Sequence, residues 1–319
     1  MPTMKTRARI AVGFALLVML AARGFAEDAP AFSAGTGILS ETRKPAMSVI
    51  QAAVLGIVEG TTEFLPVSST GHLLVLQRLM RLMATPQEKT ASDAYAICIQ
   101  LGAILAVLAV SFGRIKGMVR GIFGRDRDGL RLLGNLVVAF VPAAIIGLFL
   151  EPKIKHLLFS AWYVAAAWLV GGIFILAVLA RRSQAGGGGL ESLSWRTALL
   201  IGLAQVAALW PGVSRSLVTI AGGLFVGLSV SAAVEFSFLL GLVTLGAATV
   251  YEGLTLGPEI VRTFGWVSPA VGLVVAAAAA FLAVKWMVAY LRTRSLAVFG
   301  WYRIGIAVVA GAFLLAGVL

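Results

Sequence analysis

The chain has 319 residues, of which 60% are apolar and only 13% charged, and its mean hydropathy is +0.96. Soluble globular domains carry about a quarter of their residues as charges, so this composition excludes a disordered chain, a disulfide scaffold and an ordinary soluble enzyme, and indicates a polytopic membrane protein. A net charge of +12 would suit nucleic acid, but the basic residues lie between apolar runs rather than in one patch, so nucleic acid is not an expected partner.

The N-terminus carries Lys5, Arg7 and Arg9 ahead of an apolar stretch from Ile10 to Ala22, and Gly24-Phe25-Ala26 precedes Glu27. Residues 1–26 therefore read as a signal peptide or a short N-terminal anchor, and either places residue 27 outside the cytoplasm. Residues 27–45, polar and containing Gly, Ser and Pro, are expected to be a flexible external segment. A single membrane domain is expected over 46–319. It opens with an apolar run, 46–58, too short to cross a bilayer, followed by Glu59-Gly-Thr-Thr-Glu63 and Pro66-Val-Ser-Ser-Thr-Gly-His72.

Full-length apolar runs follow at 94–113, 133–150, 162–180, 231–251, 268–290 and 302–319. The first holds Cys98, which is core filler, since one thiol makes neither an intrachain disulfide nor a zinc site. The positive-inside rule makes the basic stretches 114–131, 181–196 and 285–303 cytoplasmic, and the last of these takes in Arg303. Connections 151–161 and 252–267 are assigned outside. So is 78–89, despite Arg78, Arg81 and Lys89. Region 197–229 holds two short runs, 197–210 and 217–228, around Pro211-Gly-Val-Ser-Arg-Ser216. Its flanking loops require an even number of crossings, which a re-entrant hairpin satisfies with zero.

An offset of 146 residues aligns Leu55-Gly56-Ile57 with Ile201-Gly202-Leu203, Glu59 with Gln205, Val67 with Val213, Ser68 with Ser214 and Thr70 with Ser216. Repeat one is then 46–180, the linker 181–196 and repeat two 197–319. Each repeat has one hairpin and three crossings, so the two have opposite orientation. The expected fold is all-α: a polytopic integral membrane protein with six full transmembrane helices plus two re-entrant helical hairpins in an inverted-topology repeat.

Ionisable residues inside apolar sequence are costly and mark function. Here they are Glu59, Glu63, His72, Arg215 and Glu235, four of them in the two hairpins. Glu235 stands as readily for a structural role. Glu59 and Glu63 share one helical face and suit a hard divalent cation, Mg²⁺ or Ca²⁺, shared with substrate phosphate. Ser68, Ser69, Thr70 and His72 form a hydroxyl-rich turn that presents donors to an anion; either Ser69 or His72 serves as nucleophile, or His72 as acid or base. Ser214, Arg215, Ser216 and Thr219 form a matching turn, in which the guanidinium grips phosphate. Arg215 is read as the one basic residue of the membrane domain outside loops and termini.

The stretch Leu55-Gly-Ile-Val-Glu-Gly-Thr-Thr-Glu-Phe-Leu-Pro-Val-Ser-Ser-Thr-Gly-His72 resembles the first signature of the undecaprenyl-diphosphate phosphatase family, the bacitracin-resistance proteins. Leu209-Trp-Pro-Gly-Val-Ser-Arg-Ser216, with Thr219-Ile220, resembles its second, and the likeness continues through Gln100, Glu235-Phe-Ser-Phe238 and Tyr302-Arg303. Val243 and Leu217 depart from the family pattern, which has proline and a small residue there. The resemblance implies hydrolysis of undecaprenyl diphosphate to the monophosphate carrier at the outer face of the bacterial cytoplasmic (inner) membrane, with a divalent cation held by Glu59 and Glu63. It puts Glu59, Glu63, Ser69, His72 and Arg215 in catalysis and Ser68, Thr70, Ser214, Ser216 and Thr219 on the substrate. Membrane lipid is the expected surrounding partner, and a homodimer is admitted. The alternative, drawn from the inverted repeat, is a flippase for the phosphorylated carrier. The other class of membrane lipid phosphatase is set aside, because Arg-Pro is absent and no histidine follows Arg215.

Overall fold

The computed structural model describes residues 47–83, 85–158, 160–182 and 186–319. The leader or anchor expected over 1–26 and the external segment over 27–45 lie outside them. Apart from one isolated bridge between Gly188 and Leu228, the described residues are helical or in turns.

Two short helices come first, α1 (Val49–Thr62) and α2 (Ser69–Leu79). Then come α3 (Pro86–Val110), α4 (Phe112–Ile122), α5 (Arg127–Leu158) and α6 (Ala161–Phe174), the last running on through a π-turn at Ile175–Leu179 to Arg182. A second pair of short helices, α7 (Trp195–Gln205) and α8 (Arg215–Phe225), precedes α9 (Val230–Phe264), α10 (Val267–Leu291) and α11 (Ala297–Leu315). Six of these, α3, α5, α6, α9, α10 and α11, are long and apolar enough to cross a membrane, and each contains or overlaps one of the expected runs. The pairs α1–α2 and α7–α8 are too short to do so and are compatible with re-entrant hairpins.

Local chemistry sets the helix starts. Ser48 with Gln51, Thr85 with Glu88, and Ser194 with Thr197 close reciprocal caps at α1, α3 and α7. Pro86 opens α3, where a missing N–H costs nothing. Helix α9 runs unbroken through Val243, and Leu217 is buried in α8, so both departures from the family pattern are absorbed as helix. One expectation is revised. Much of the basic stretch 114–131 is not loop: Arg114, Lys116 and Arg120 lie on α4, which packs against α5. Basic side chains conceal a helix from a search for apolar runs, but here they occupy its exposed side.

Small residues let the short helices lie close against long ones. Helix α1 packs on α10, and α7 on α5. A Cβ at Gly56 would run into the Gly272 carbonyl of α10, and one at Gly202 into the Ala139 carbonyl of α5. Across the middle α3 meets α9, and α6 meets α11. The tips of both short pairs therefore converge inside the bundle.

Candidate active site

Each short pair turns through a loop that ends on a serine with positive φ: Ser68 (φ 73°, ψ 95°) and Ser214 (φ 80°, ψ 116°). These two residues are matched by the 146-residue offset. Non-glycine residues rarely adopt such angles, which cost about 1–3 kcal/mol each and persist only where surrounding bonds impose them. Each serine caps the helix it starts, Ser68 Oγ accepting from Gly71 N and Ser214 Oγ from Leu217 N. The N-termini of α2 and α8, with their free N–H groups and positive dipole ends, then border one cavity of about 160 Å³. Its walls include Glu63, Ser69, Thr70, Gln100, Trp210 and Arg215.

Glu63 is the junction. Ser69 Oγ donates to its Oε2. Arg215 Nη2 reaches its Oε1 at 3.3 Å, with the arginine side chain 11% exposed and the glutamate 5%. The Arg215 Nη1 donates to Ser237 O at 2.8 Å, its Cζ lies 5.4 Å from the centre of the Phe64 ring, and its Nε has no partner. Gly241 of α9 makes room for the guanidinium, since a Cβ there would come within 2.6 Å of Cζ. Glu59 is wholly buried on the same face of α1, beside Glu63 and within electrostatic reach of Arg215, and among the described residues no N–H or hydroxyl donates to either of its oxygens.

The other expected site residues fall around this junction. Ser216 Oγ donates to Leu65 O at 2.7 Å and lies 2.9 Å from Ser214 Oγ, tying the second turn to the first. Thr219 Oγ1 donates to Arg215 O at 2.8 Å and lies 2.7 Å from Ser237 Oγ, so it braces α8 against α9 beside the cavity and is absent from its walls. Thr70 is exposed at the cavity wall. His72 is turned away from Ser69: its Nδ1 lies 2.6 Å from Ser68 O and its Nε2 2.7 Å from the Tyr302 hydroxyl, with the two rings stacked at 5.7 Å. Both ring nitrogens are thus engaged in holding the first turn. Glu235 lies apart from the cavity, bonded by Arg114 Nε at 2.7 Å. That bond holds the Arg114 guanidinium pKa above its ordinary value.

Arg303 overturns one expectation. Instead of lying in a cytoplasmic loop, it sits on α11, fully buried, with its guanidinium bonded to four backbone carbonyls. Arg215 is therefore not the sole buried arginine. The signal was present in Ala297–Tyr302, an uncharged stretch that puts Arg303 inside apolar sequence rather than at its edge. Tyr302, the hydroxyl partner of His72, carried no charge to flag it.

Comparison with known proteins adds a second line of observation. Residues 52–309 match the family model described as bacitracin resistance protein BacA. The chain is 45% identical over 259 residues to a protein named undecaprenyl-diphosphatase from Sorangium cellulosum, covering 80% of this chain and 83% of that one. It is 44% identical over 269 residues to undecaprenyl-diphosphatase 2 of Rhodospirillum rubrum, covering 83% and 95%. It is 42% identical over 265 residues to undecaprenyl-diphosphatase 1 of Chromobacterium violaceum, covering 82% and 94%.

Proposed function

The chain belongs to the bacitracin resistance protein BacA family, and from that premise we propose how its own residues carry out the family's reaction. That reaction is hydrolysis of undecaprenyl diphosphate to undecaprenyl phosphate and inorganic phosphate, which returns the lipid carrier to cell-wall synthesis and confers bacitracin resistance. The flippase alternative is not favoured.

The observation that carries the proposal is the chain of contacts Ser69–Glu63–Arg215 at the wall of one small cavity. Ser69 Oγ attacks the terminal phosphorus while its proton passes to Glu63. The bond to the bridging oxygen breaks, undecaprenyl phosphate leaves with that proton, handed on from Glu63, and phosphoserine remains while Glu63 is again a carboxylate. Water then attacks the phosphoserine, giving its proton to Glu63; the seryl oxygen leaves and is reprotonated, releasing inorganic phosphate and restoring the site. Arg215 and the N-termini of α2 and α8 offset the charge that builds on the phosphoryl oxygens. His72 positions the first turn rather than reacting, since Tyr302 and Ser68 occupy both its nitrogens.

A divalent cation, Mg²⁺ or Ca²⁺, fits the carboxylates. Glu59 brings two buried oxygens that, among the described residues, receive no N–H or hydroxyl donor, beside the Glu63 carboxylate, and such ions use one or two carboxylates, completing their shell with phosphate and water. When bound, the ion supplies charge neutralisation on the diphosphate. Glu59 would be its main protein ligand, because Ser69 and Arg215 already engage Glu63.

The orientation we propose puts the cavity toward the outside of the cytoplasmic membrane. Support comes from the basic residues of α4, the 181–196 linker and the α10–α11 connection, which belong on the cytoplasmic side. The matched serine turns and the parallel packing of α1 on α10 and α7 on α5 support reading the short pairs as re-entrant halves of an inverted repeat.

Phosphate release from undecaprenyl diphosphate by the purified chain tests the reading. Wild type is expected to turn over and to lose activity with EDTA. Ser69→Ala and Glu63→Gln are expected to lose about 10²–10⁴-fold. Full activity in either variant sinks the assignment of nucleophile and base, and EDTA-insensitive turnover sinks the metal.

A further inference from the structure

Arg303 is buried in the bundle and, among the described residues, bonds no carboxylate. Its Nη1 donates to Pro66 O at 3.3 Å, its Nη2 to Gly212 O and Ala167 O at 2.8 Å each, and its Nε to Trp168 O at 3.4 Å. Pro66 and Gly212 lie 146 residues apart, the same offset that matches Ser68 with Ser214, and each stands two residues before its serine. We propose that Arg303 is a positioning residue for the hydrolysis: one planar cation fastens both serine turns to α6, so that Ser69 and Arg215 are presented together to Glu63. This rests on the phosphatase reading.

Three features carry it. A charge buried without a counter-ion is expensive, so it is kept only where its hydrogen bonds are needed. The bonds themselves require a fork: a guanidinium has five donors in one plane and reaches carbonyls on three separate segments, whereas an ammonium is a point donor. The neighbouring helix is shaped for it as well. Gly171 of α6 lies against the guanidinium, and a Cβ there would come within 2.7 Å of Cζ and 2.8 Å of Nε. The preceding residue, Tyr302, holds the same turn from its other side through His72 and Ser68 O. Consecutive residues of α11 thus converge on the backbone ahead of Ser69 without lining the cavity.

The full chain in detergent, assayed for phosphate release and normalised to monodisperse protein, tests the proposal with Arg303→Lys, Arg303→Gln, Gly171→Ala and the double variant Gly171→Ala/Arg303→Gln. Gly171→Ala keeps every charge, and the three atoms nearest its added Cβ all belong to the Arg303 guanidinium. The single variants are each expected to lower kcat about 10- to 100-fold with KM little changed, because misplaced turns weaken the transition state rather than substrate uptake. In the Arg303→Gln background, Gly171→Ala is expected to cost little more, because its target is gone. The proposal is overturned by wild-type kcat in Gly171→Ala, by a loss confined to KM, by additive losses in the double variant, or by a loss that disappears on normalisation. Failure of Gly171→Ala to fold also overturns it, by making Arg303 a residue of the fold alone. If wild type itself releases no phosphate, the phosphatase reading fails and not the role of Arg303.

Discussion

Ser69 and His72 compete for the nucleophile's role on sequence alone, and their hydrogen bonds are the reason Ser69 is the one proposed. Ser69 donates to a carboxylate, while His72 spends both nitrogens on Ser68 O and Tyr302. Tyr302→Phe should therefore lower activity about tenfold, the scale of one buried hydrogen bond lost at about 1–3 kcal/mol, and should leave Ser69 able to form phosphoserine. Rapid quench followed by mass spectrometry of the Ser69 peptide checks both points; no phosphoserine in an active enzyme would refute the covalent route. Glu59, Glu63 and Arg215 were legible because charge inside apolar sequence has no neutral explanation. Arg303 was hidden by its neighbours Arg292 and Arg294, which are true loop charges. Tyr302 was hidden because a tyrosine in an apolar helix is unremarkable until its hydroxyl is seen to have a partner.

The helices show a device used twice. Arg303 lies against Gly171 of α6, and Arg215 against Gly241 of α9, so each buried guanidinium rests on a helix that lacks a side chain there. Gly241→Ala should push Arg215 off Glu63 and cut kcat by 10-fold or more while α9, where alanine is a better helix former, remains intact. Circular dichroism and phosphate release on one sample distinguish this from unfolding; unchanged kcat would show that Arg215 has slack. At this scale the long helices were legible from their apolar runs, and the short pairs from runs too brief to cross. Helix α4 was not, because its basic residues matched the pattern of a cytoplasmic loop equally well. Only its packing on α5 reveals the buried side.

For the molecule as a whole, the charge distribution is what supports the proposed orientation, and that orientation can be tested directly. In a Cys98→Ser background, Gln87→Cys at the start of α3 should react with a membrane-impermeant maleimide added to intact cells. Asp128→Cys at the start of α5 should react only after lysis. Reversed labelling would put the cavity on the cytoplasmic side and end the proposed orientation. The internal repeat already led to the expectation, on sequence alone, that the two hairpins meet in one site. What it did not convey is that Arg303 joins them, carried to both turns by the packing of α11 on α6.

The volume of the cavity has a consequence for fidelity. At about 160 Å³ it has roughly the space of five water molecules, the scale of a phosphoryl group rather than of the lipid tail. A carrier that still bears a saccharide on its outer phosphate offers Ser69 no terminal phosphate, so in the same assay it should release phosphate far more slowly than undecaprenyl diphosphate; equal rates would show that the site does not require a free terminal phosphoryl group.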